Sequence, residues 1–458
     1  MTWGDNVSSA VGNRRTTRGT RTVRVGRLDV AVTGAPVWVV IGPVRDDAGS
    51  RAGEVLDRMA ALGPRFRVGL QPSPDATRWN FTDKPSLSAT PTFDISGCTT
   101  TQEILDRVVG RPPAAPISVG QAGEHLCICI DHGIGDSHLM TEIVAALTHA
   151  EAPNGFVDPL PTPTIDKPVQ TAIGHYLKSA PRHVIRQAVS LATAAWSRLR
   201  SRAHAVARGD ELITLAVTDA QGYRAVFVKS EPHFADKMRA WRDATETRAS
   251  VTALIMLSIY RALRDAGVPL AQVCEVVVDL RRFLPGEAQT LSNFCTVARV
   301  HAGAGTSSYE DFSAQLRARA ESTGTLVKLA GYVALVRALR AARRNRDEPR
   351  RAVVGGPKPR SAVRLTISDI SKMPAVAKVA WTRPADAETA VSLPPGSSSH
   401  LSIAVRVAGN GSVEATATFA AALVHPDTVR NALRKAFTVQ NLSAAQGNSR
   451  GAVRNAVA

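Results

Sequence analysis

Two side chains four positions apart, His132 and Asp136, carry the most specific chemistry that can be read in the chain. An imidazole is the side chain best suited to take a proton near neutrality, because its unperturbed pKa is about 6.5. Placed at the mouth of a strand, His132 can be held rigid and still face a cleft. Gly133 and Gly135 let the backbone turn sharply and let a substrate come close. Asp136 can accept from the first free N–H groups of a following helix, or pair with a cation and pin the turn. The chemistry offered is general-base removal of a proton from a hydroxyl or amine. Taken alone, the spacing also describes an ordinary turn with a capping aspartate and a half-buried histidine.

The elements that must position these residues are legible on both sides. Leu126 to Ile130 is an apolar run of strand length. After the glycines, Leu139, Met140, Ile143, Val144 and Leu147 fall on one helical face. The stretch from Glu124 to Leu147 is therefore strand, tight turn and helix, with His132 at the strand end and Asp136 at the helix start.

The Asp131-His132-Gly133-Ile134-Gly135-Asp136-Ser137 run resembles the His-His-x-x-x-Asp-Gly motif of acyltransferases related to chloramphenicol acetyltransferase. That superfamily includes the condensation domains of nonribosomal peptide synthetases, the wax ester synthase/diacylglycerol acyltransferases and the mycobacterial polyketide-associated acyltransferases. The resemblance implies that His132 is the general base and that Asp136 is structural and pairs with an arginine. Asp131 stands where many members have the first histidine, and Ser137 where most have glycine. Further along, VVVDLRRFLPGEAQTLSNFCTVARV at 276–300 is similar to the family segment in which a strand ends in Asp-Leu-Arg and a loop leads to a Gly-Asn-Phe turn. Ser292-Asn293-Phe294 occupies that turn, and Arg281 is the expected partner of Asp136, with Arg282 as its rival. LTISDIS at 365–371 resembles a Ser-Asn strand end, with Asp369 in place of asparagine. The Asn-Asp pair of the wax ester synthases and the Asp-Phe-Gly-Trp-Gly motif of the plant members are absent, so the match is to the superfamily.

What the resemblance implies is an α/β (α+β) fold of two chloramphenicol acetyltransferase-like lobes, each a mixed sheet with helices, and an active-site tunnel between them. The reaction would be direct acyl transfer from an acyl-CoA, or from the phosphopantetheine of an acyl carrier protein, to a hydroxyl or amine of a lipid or specialised metabolite. No covalent intermediate, bound cofactor or metal is implied. Gly135, Asn293 and Ser368, or a backbone N–H near His132, are candidate contacts to substrate or to the oxyanion.

Composition bounds the alternatives. Of 458 residues, 44% are hydrophobic and 21% charged, enough for a substantial core and two to three domains of ordinary size. The formal charge of +17 favours anionic partners: coenzyme A phosphates, an acidic carrier protein, an acidic membrane surface or nucleic acid. Nucleic acid fits poorly, since no groove-docking motif is readable and aromatics make up only 5%. The five cysteines form no C-x-x-C pair, and Cys127 and Cys129 alternate within one strand, so buried reduced thiols are expected. There is no Walker-type loop, H-E-x-x-H or G-x-S-x-G elbow. Gly303-Ala304-Gly305 does not open a dinucleotide site. No signal peptide or stretch of about 18 apolar residues is visible, and the chain reads as cytoplasmic.

The expected organisation is a basic, poorly ordered lead at 1–24, an N-terminal lobe at 25–165, a helical crossover at 166–210, a second lobe at 211–440 and a disordered tail at 441–458. Strands are expected at 25–32 and 37–42, 66–71, 79–82, 274–280, 294–300 and 363–368. A hairpin should turn at Asn410-Gly411. Helices are expected at 51–62, 100–109, 233–245, 250–267, 307–322, 326–344 and 427–437. The basic amphipathic region 169–205 could lie on a membrane surface or an acidic partner, or pack over the core rim. The basic run 340–360 is a solvated loop or a guide for a phosphate-bearing donor. A relative without catalysis, binding a carrier protein or partner enzyme, is the alternative function, motivated by Ser137 and Asp369.

Overall fold

A computed structural model describes residues 21–85, 93–112, 115–149, 165, 167–179, 222–303, 308–331 and 362–442. Lead residues 1–20, most of the 166–210 crossover, the basic run 340–360 and the tail from 443 lie outside the described residues.

The first lobe is built on β2 (Pro36–Gly42), β5 (Ile117–Ala122) and β6 (His125–Asp131), with α2 (Ala52–Ala61), α3 (Thr101–Val108) and α4 (Ser137–Thr148) packed on them. The continuous apolar run of β2 is buried on both faces. Val37, Val39 and Ile41 meet Val55, Leu56 and Met59 of α2 and Ile143 of α4. Trp38 and Val40 meet Ile104, Leu105 and Val108 of α3. Strand β6 alternates in the same way, with Leu126, Ile128 and Ile130 on the first side and the thiols of Cys127 and Cys129 on the second. Helix α3 opens on a capping box between Thr100 and Glu103.

The second lobe holds α6 (Phe234–Ala244), α7 (Val251–Asp265) and α9 (Pro426–Ala436) against one face of a mixed six-stranded sheet. Its members are β7 (Tyr223–Lys229), β8 (Leu270–Asp279), β9 (Cys295–His301), β10 (Val363–Asp369), β12 (His400–Val407) and β13 (Val413–Ala420). The order is β7-β13-β12-β10-β8-β9, with β10 parallel to both β8 and β12 and the other pairs antiparallel. Helix α7 is capped by Ser250 and stops before Gly267, whose φ is 85°. Helix α8 (Tyr309–Glu321), capped by Ser308, packs beside β9.

One strand joins the lobes. β11 (Glu388–Ser392), from the C-terminal half of the chain, pairs antiparallel with β2 and completes a four-stranded sheet, β11-β2-β6-β5. Its other edge contacts the second sheet: Thr389 N–H donates to Glu414 (3.1 Å) and Val391 N–H to Thr416 (3.1 Å). Neither ETAVS at 388–392 nor ISVGQA at 117–122 stands out as a strand in the sequence, because both are rich in small and polar residues. The sheet supplies their burial.

Two expected strands are corrected. The segment expected as a strand over 25–32 is instead the short helix α1 (Arg27–Ala31), preceded by β1 (Arg21–Arg24). Asp29 closes it by accepting from Gly26 N–H at 3.0 Å. β1 pairs with β4 (Arg78–Phe81), which brings residues 21–24 into the fold. The run 66–71 keeps only β3 (Leu70–Gln71), because Pro64 opens a 3-10 turn and Arg67 lies in the left-handed region with φ 68°. Helix α5 (Pro168–Ser179) is the described part of the crossover. No helix among the described residues is long and apolar enough to cross a membrane.

Candidate active site

The turn between β6 and α4 lies where the first lobe meets the C-terminal end of β8 and the loop 280–294. His132 is half-buried at the end of β6, with its N–H donating to Ala35 O at 2.9 Å. Its Nδ1 lies 3.1 Å from Gly135 O. A carbonyl can only accept, so Nδ1 carries the hydrogen and Nε2 keeps its lone pair. That is the tautomer a general base requires. Asp131, in the place of the first family histidine, fastens the turn from below. Its carboxylate accepts from Gly133 N–H (2.7 Å) and Gly34 N–H (2.9 Å). Burial raises its pKa, while these two N–H groups work in the other direction. Gly34 reaches the carboxylate with φ 85°, a conformation that disfavours other residues.

Asp136 caps α4 through His138 N–H at 3.1 Å. It also faces Arg281, whose Nη2 lies 2.9 and 3.0 Å from the two carboxylate oxygens. Both side chains are buried, 6% exposed each. Phe294 N–H supplies a further donor to Asp136 at 3.2 Å. The same Nη2 also lies 2.7 Å from Thr290 O and 3.2 Å from Ser292 O, while Nε donates to Thr290 O (3.0 Å) and Nη1 to Asp279 (3.1 Å). This explains why a guanidinium fits here: a flat fork satisfies one carboxylate and the loop carbonyls together. Burial lowers the pKa of Arg281, but the charges of Asp136 and Asp279 outweigh it and raise the pKa overall. Arg282 instead stacks on the Phe283 ring, 5.1 Å from its centroid.

Asn293 joins the lobes on the other side of the turn. Its Nδ2 donates to His132 O (2.8 Å) and to Asp29 Oδ1 (3.0 Å). Its Oδ1 is buried without a partner among the described residues. Gly135 is tight for a different reason: a Cβ there would stand 2.6 Å from Leu291 O and 2.7 Å from Leu139 Cδ2. Among the described residues, no hydrogen bond of the turn reaches Ser368, which stands half-buried on β10. Asp369 is engaged with Thr252 Oγ1 (2.8 Å) and Ser371 N–H (2.9 Å). Ser137 Oγ points to Met373 Sδ at 3.5 Å.

The sequence gives no sign of a second buried pair under the turn. Arg67 Nη2 lies 3.0 Å from Asp29 Oδ2, with side-chain exposures of 8% and 1%. The same guanidinium donates to Ile134 O, to Gly133 O (3.2 Å) and to Ser292 Oγ (3.2 Å). Arg67 thus holds the carbonyls of the 132–136 turn from a left-handed backbone with φ 68°. In the sequence it is one basic residue in an apparent strand. His138 and Asp279 form a third link between the lobes at 3.1 Å. Burial opposes ionisation of Asp279, but the His138 hydrogen bond and the charge of Arg281 outweigh it and hold its pKa at about 2.

No protein-family model and no curated protein sequence matches the chain. Solved structures do. The TRI3 trichothecene 15-O-acetyltransferase from Fusarium sporotrichioides is 11% identical, over 92% of this chain and 96% of that one, with a TM-score of 0.53. The condensation domain of the monacolin K polyketide synthase is 10% identical, over 92% and 97%, with a TM-score of 0.52. A nonribosomal peptide synthetase is 14% identical over 91% of this chain but only 41% of its own length, with a TM-score of 0.51. At such identities the likeness is one of fold: over nine tenths of its length the chain folds like that acetyltransferase and that condensation domain.

Proposed function

We propose that the chain is an acyltransferase that moves an acyl group from a thioester, on coenzyme A or on a carrier protein, to a hydroxyl or amine, with His132 as general base. The observation that carries this reading is the His132 tautomer. Nδ1–H is spent on Gly135 O, and among the described residues nothing engages the Nε2 lone pair of this half-buried ring. The fold it shares with an acetyltransferase and a condensation domain supports the same reading.

In the proposed step Nε2 takes the proton of the acceptor hydroxyl or amine as that atom attacks the thioester carbonyl. The carbonyl oxygen gains the negative charge. When the tetrahedral species collapses, the C–S bond breaks and the departing thiolate takes the proton back from the imidazolium. The enzyme ends unchanged, and no covalent acyl-enzyme forms. Asp136, Arg281, Asn293 and Arg67 act through His132, by fixing the turn that presents it. Ser368 is the side-chain candidate to meet the oxyanion.

The test is thioester consumption over a panel of acyl-CoAs and carrier-bound acyl groups, with thiol release followed for wild type and His132→Gln. Release by the wild type, slowed about 10²- to 10⁴-fold in the variant, is the expected result. Silence of both panels would overturn the reading in favour of a non-catalytic protein that binds a carrier.

A further inference from the structure

The two faces of the second sheet differ. One packs on α6, α7 and α9. The other carries Glu275, Thr366, Ser402, Thr416 and Thr418 and looks toward the first lobe. At the β12–β13 end that face is covered by β11 through the Glu414 and Thr416 bonds. At the β8–β9 edge no described element covers it: Val297 is 46% exposed, and Val277 and Ser368 are half-buried.

This open strip begins at the catalytic corner, where Asp279 meets His138 and Arg281. Four residues back along β8 stands Glu275, roughly 13 Å away at the usual rise of a strand. There the strip ends in a cluster that no catalytic argument uses. Glu275, buried, accepts from Arg299 (3.3 Å) and from Arg364 (3.0 Å). One carboxylate therefore faces two guanidiniums. Arg299 keeps two thirds of its side chain exposed and Arg364 about two fifths, at 67% and 39%. Arg364 Nε is buried without an acceptor among the described residues. Beside them, His400 Nδ1 accepts from Gly396 N–H (3.2 Å), so Nε2–H faces Thr366 Oγ1 (2.7 Å). Thr366 passes its own hydrogen to Glu275 (3.2 Å). Burial and the charge of Arg364 hold His400 near pKa 4, so the imidazole is neutral. The cluster keeps one net positive charge and presents it on two forks at the open edge.

We propose that Arg299 and Arg364 form an oxyanion-binding subsite that holds a carboxylate or phosphate group of one of the two substrates, about 13 Å along the sheet from the catalytic corner. The inference rests on the acyl-transfer reading for what it binds, but the subsite itself does not require turnover. Glu275 holds the two guanidiniums beside each other, and the neutral His400–Thr366 chain fixes Glu275. The valines and Ser368 between the two ends would lie under the body of the bound molecule.

Binding of inorganic phosphate and of succinate at low salt, read by ³¹P and ¹H line broadening, tests the subsite directly. The wild type and His132→Ala are expected to bind alike. Arg299→Gln, an exposed substitution that spares the fold, and Arg299→Gln/Arg364→Gln are expected to weaken binding about tenfold or more. Arg58→Gln, on α2 outside the site, should change nothing. Equal binding by wild type and both subsite variants, or equal weakening by Arg58→Gln, would overturn the proposal as general attraction to a basic protein. In the thioester assay, a raised KM for acyl-CoA in Arg299→Gln places the anionic group on the donor. An unchanged donor KM with lost phosphate binding places it on the acceptor. Absence of any turnover would bear on the acyl-transfer reading and leave the binding result standing.

Discussion

Removing the Asp136 carboxylate tests how the lobes hold the turn that carries His132. Asp136→Ala deletes two contacts to Arg281, the acceptor for Phe294 N–H and the cap on His138 N–H. It leaves a guanidinium that is 6% exposed, with Asp279 and two carbonyls as partial compensation. Breaking a buried pair from one side costs about 3–5 kcal/mol, and the surviving Asp279 contact argues for the low end. The lost cap adds about 1 kcal/mol, for about 4 kcal/mol in total. Asp136→Asn keeps one acceptor oxygen, enough for the cap or for Phe294 N–H but not for both, and should cost about 3 kcal/mol. Urea unfolding followed by tryptophan fluorescence measures both. Adding Arg281→Met to Asp136→Asn removes the stranded cation, so the double variant should be at least about 1 kcal/mol more stable than the sum of the singles. A loss under about 1 kcal/mol for Asp136→Ala, or strict additivity in the cycle, would refute the view that this pair clamps the site.

Arg67→Met strips two carbonyls of the turn of their donor and should lower kcat by about 10²-fold with the donor KM little changed; Arg67→Lys should not rescue it, because an ammonium cannot reach the same acceptors as a fork. An unchanged kcat would remove Arg67 from the positioning set. Gly135→Ala drives a Cβ against Leu291 O and Leu139, and an expected loss of about 1–3 kcal/mol should appear as a lower urea midpoint; a neutral result would mean the loop 280–294 yields freely. His400 gives a pH prediction. Its folded pKa of about 4 lies below the unfolded value of about 6.5, so the unfolded chain takes the proton first. Its contribution is complete above pH 6.5 and is lost as pH falls toward 4, by up to about 3 kcal/mol. His400→Gln should flatten the fall in urea midpoint between pH 7 and 4.5, and an identical fall in both proteins would refute the assignment.

His132, Gly135 and Asp136 could be placed from the chain alone because strand, turn and helix are contiguous there. The apolar alternation of β6 and the periodic face of α4 determine which residues end the strand and begin the helix. Helix α7 and the hairpin at Asn410-Gly411 were legible for the same reason, since capping and turn chemistry act within a few residues. Tertiary structure decided what long-range neighbours impose. RLDVA at 27–31 alternates well enough for a strand, yet it is a helix whose Asp29 reaches Asn293 and Arg67. β11 has little strand character of its own and is made a strand by β2, more than 340 residues earlier, because its backbone would otherwise be buried unpaired. Arg67 is indistinguishable from a surface arginine until its left-handed backbone and the buried Asp29 are seen together. Local periodicity determined the residues that offer chemistry. The pairing of charges removed from water, which depends on positions far apart in the chain, decided which residues hold them in place.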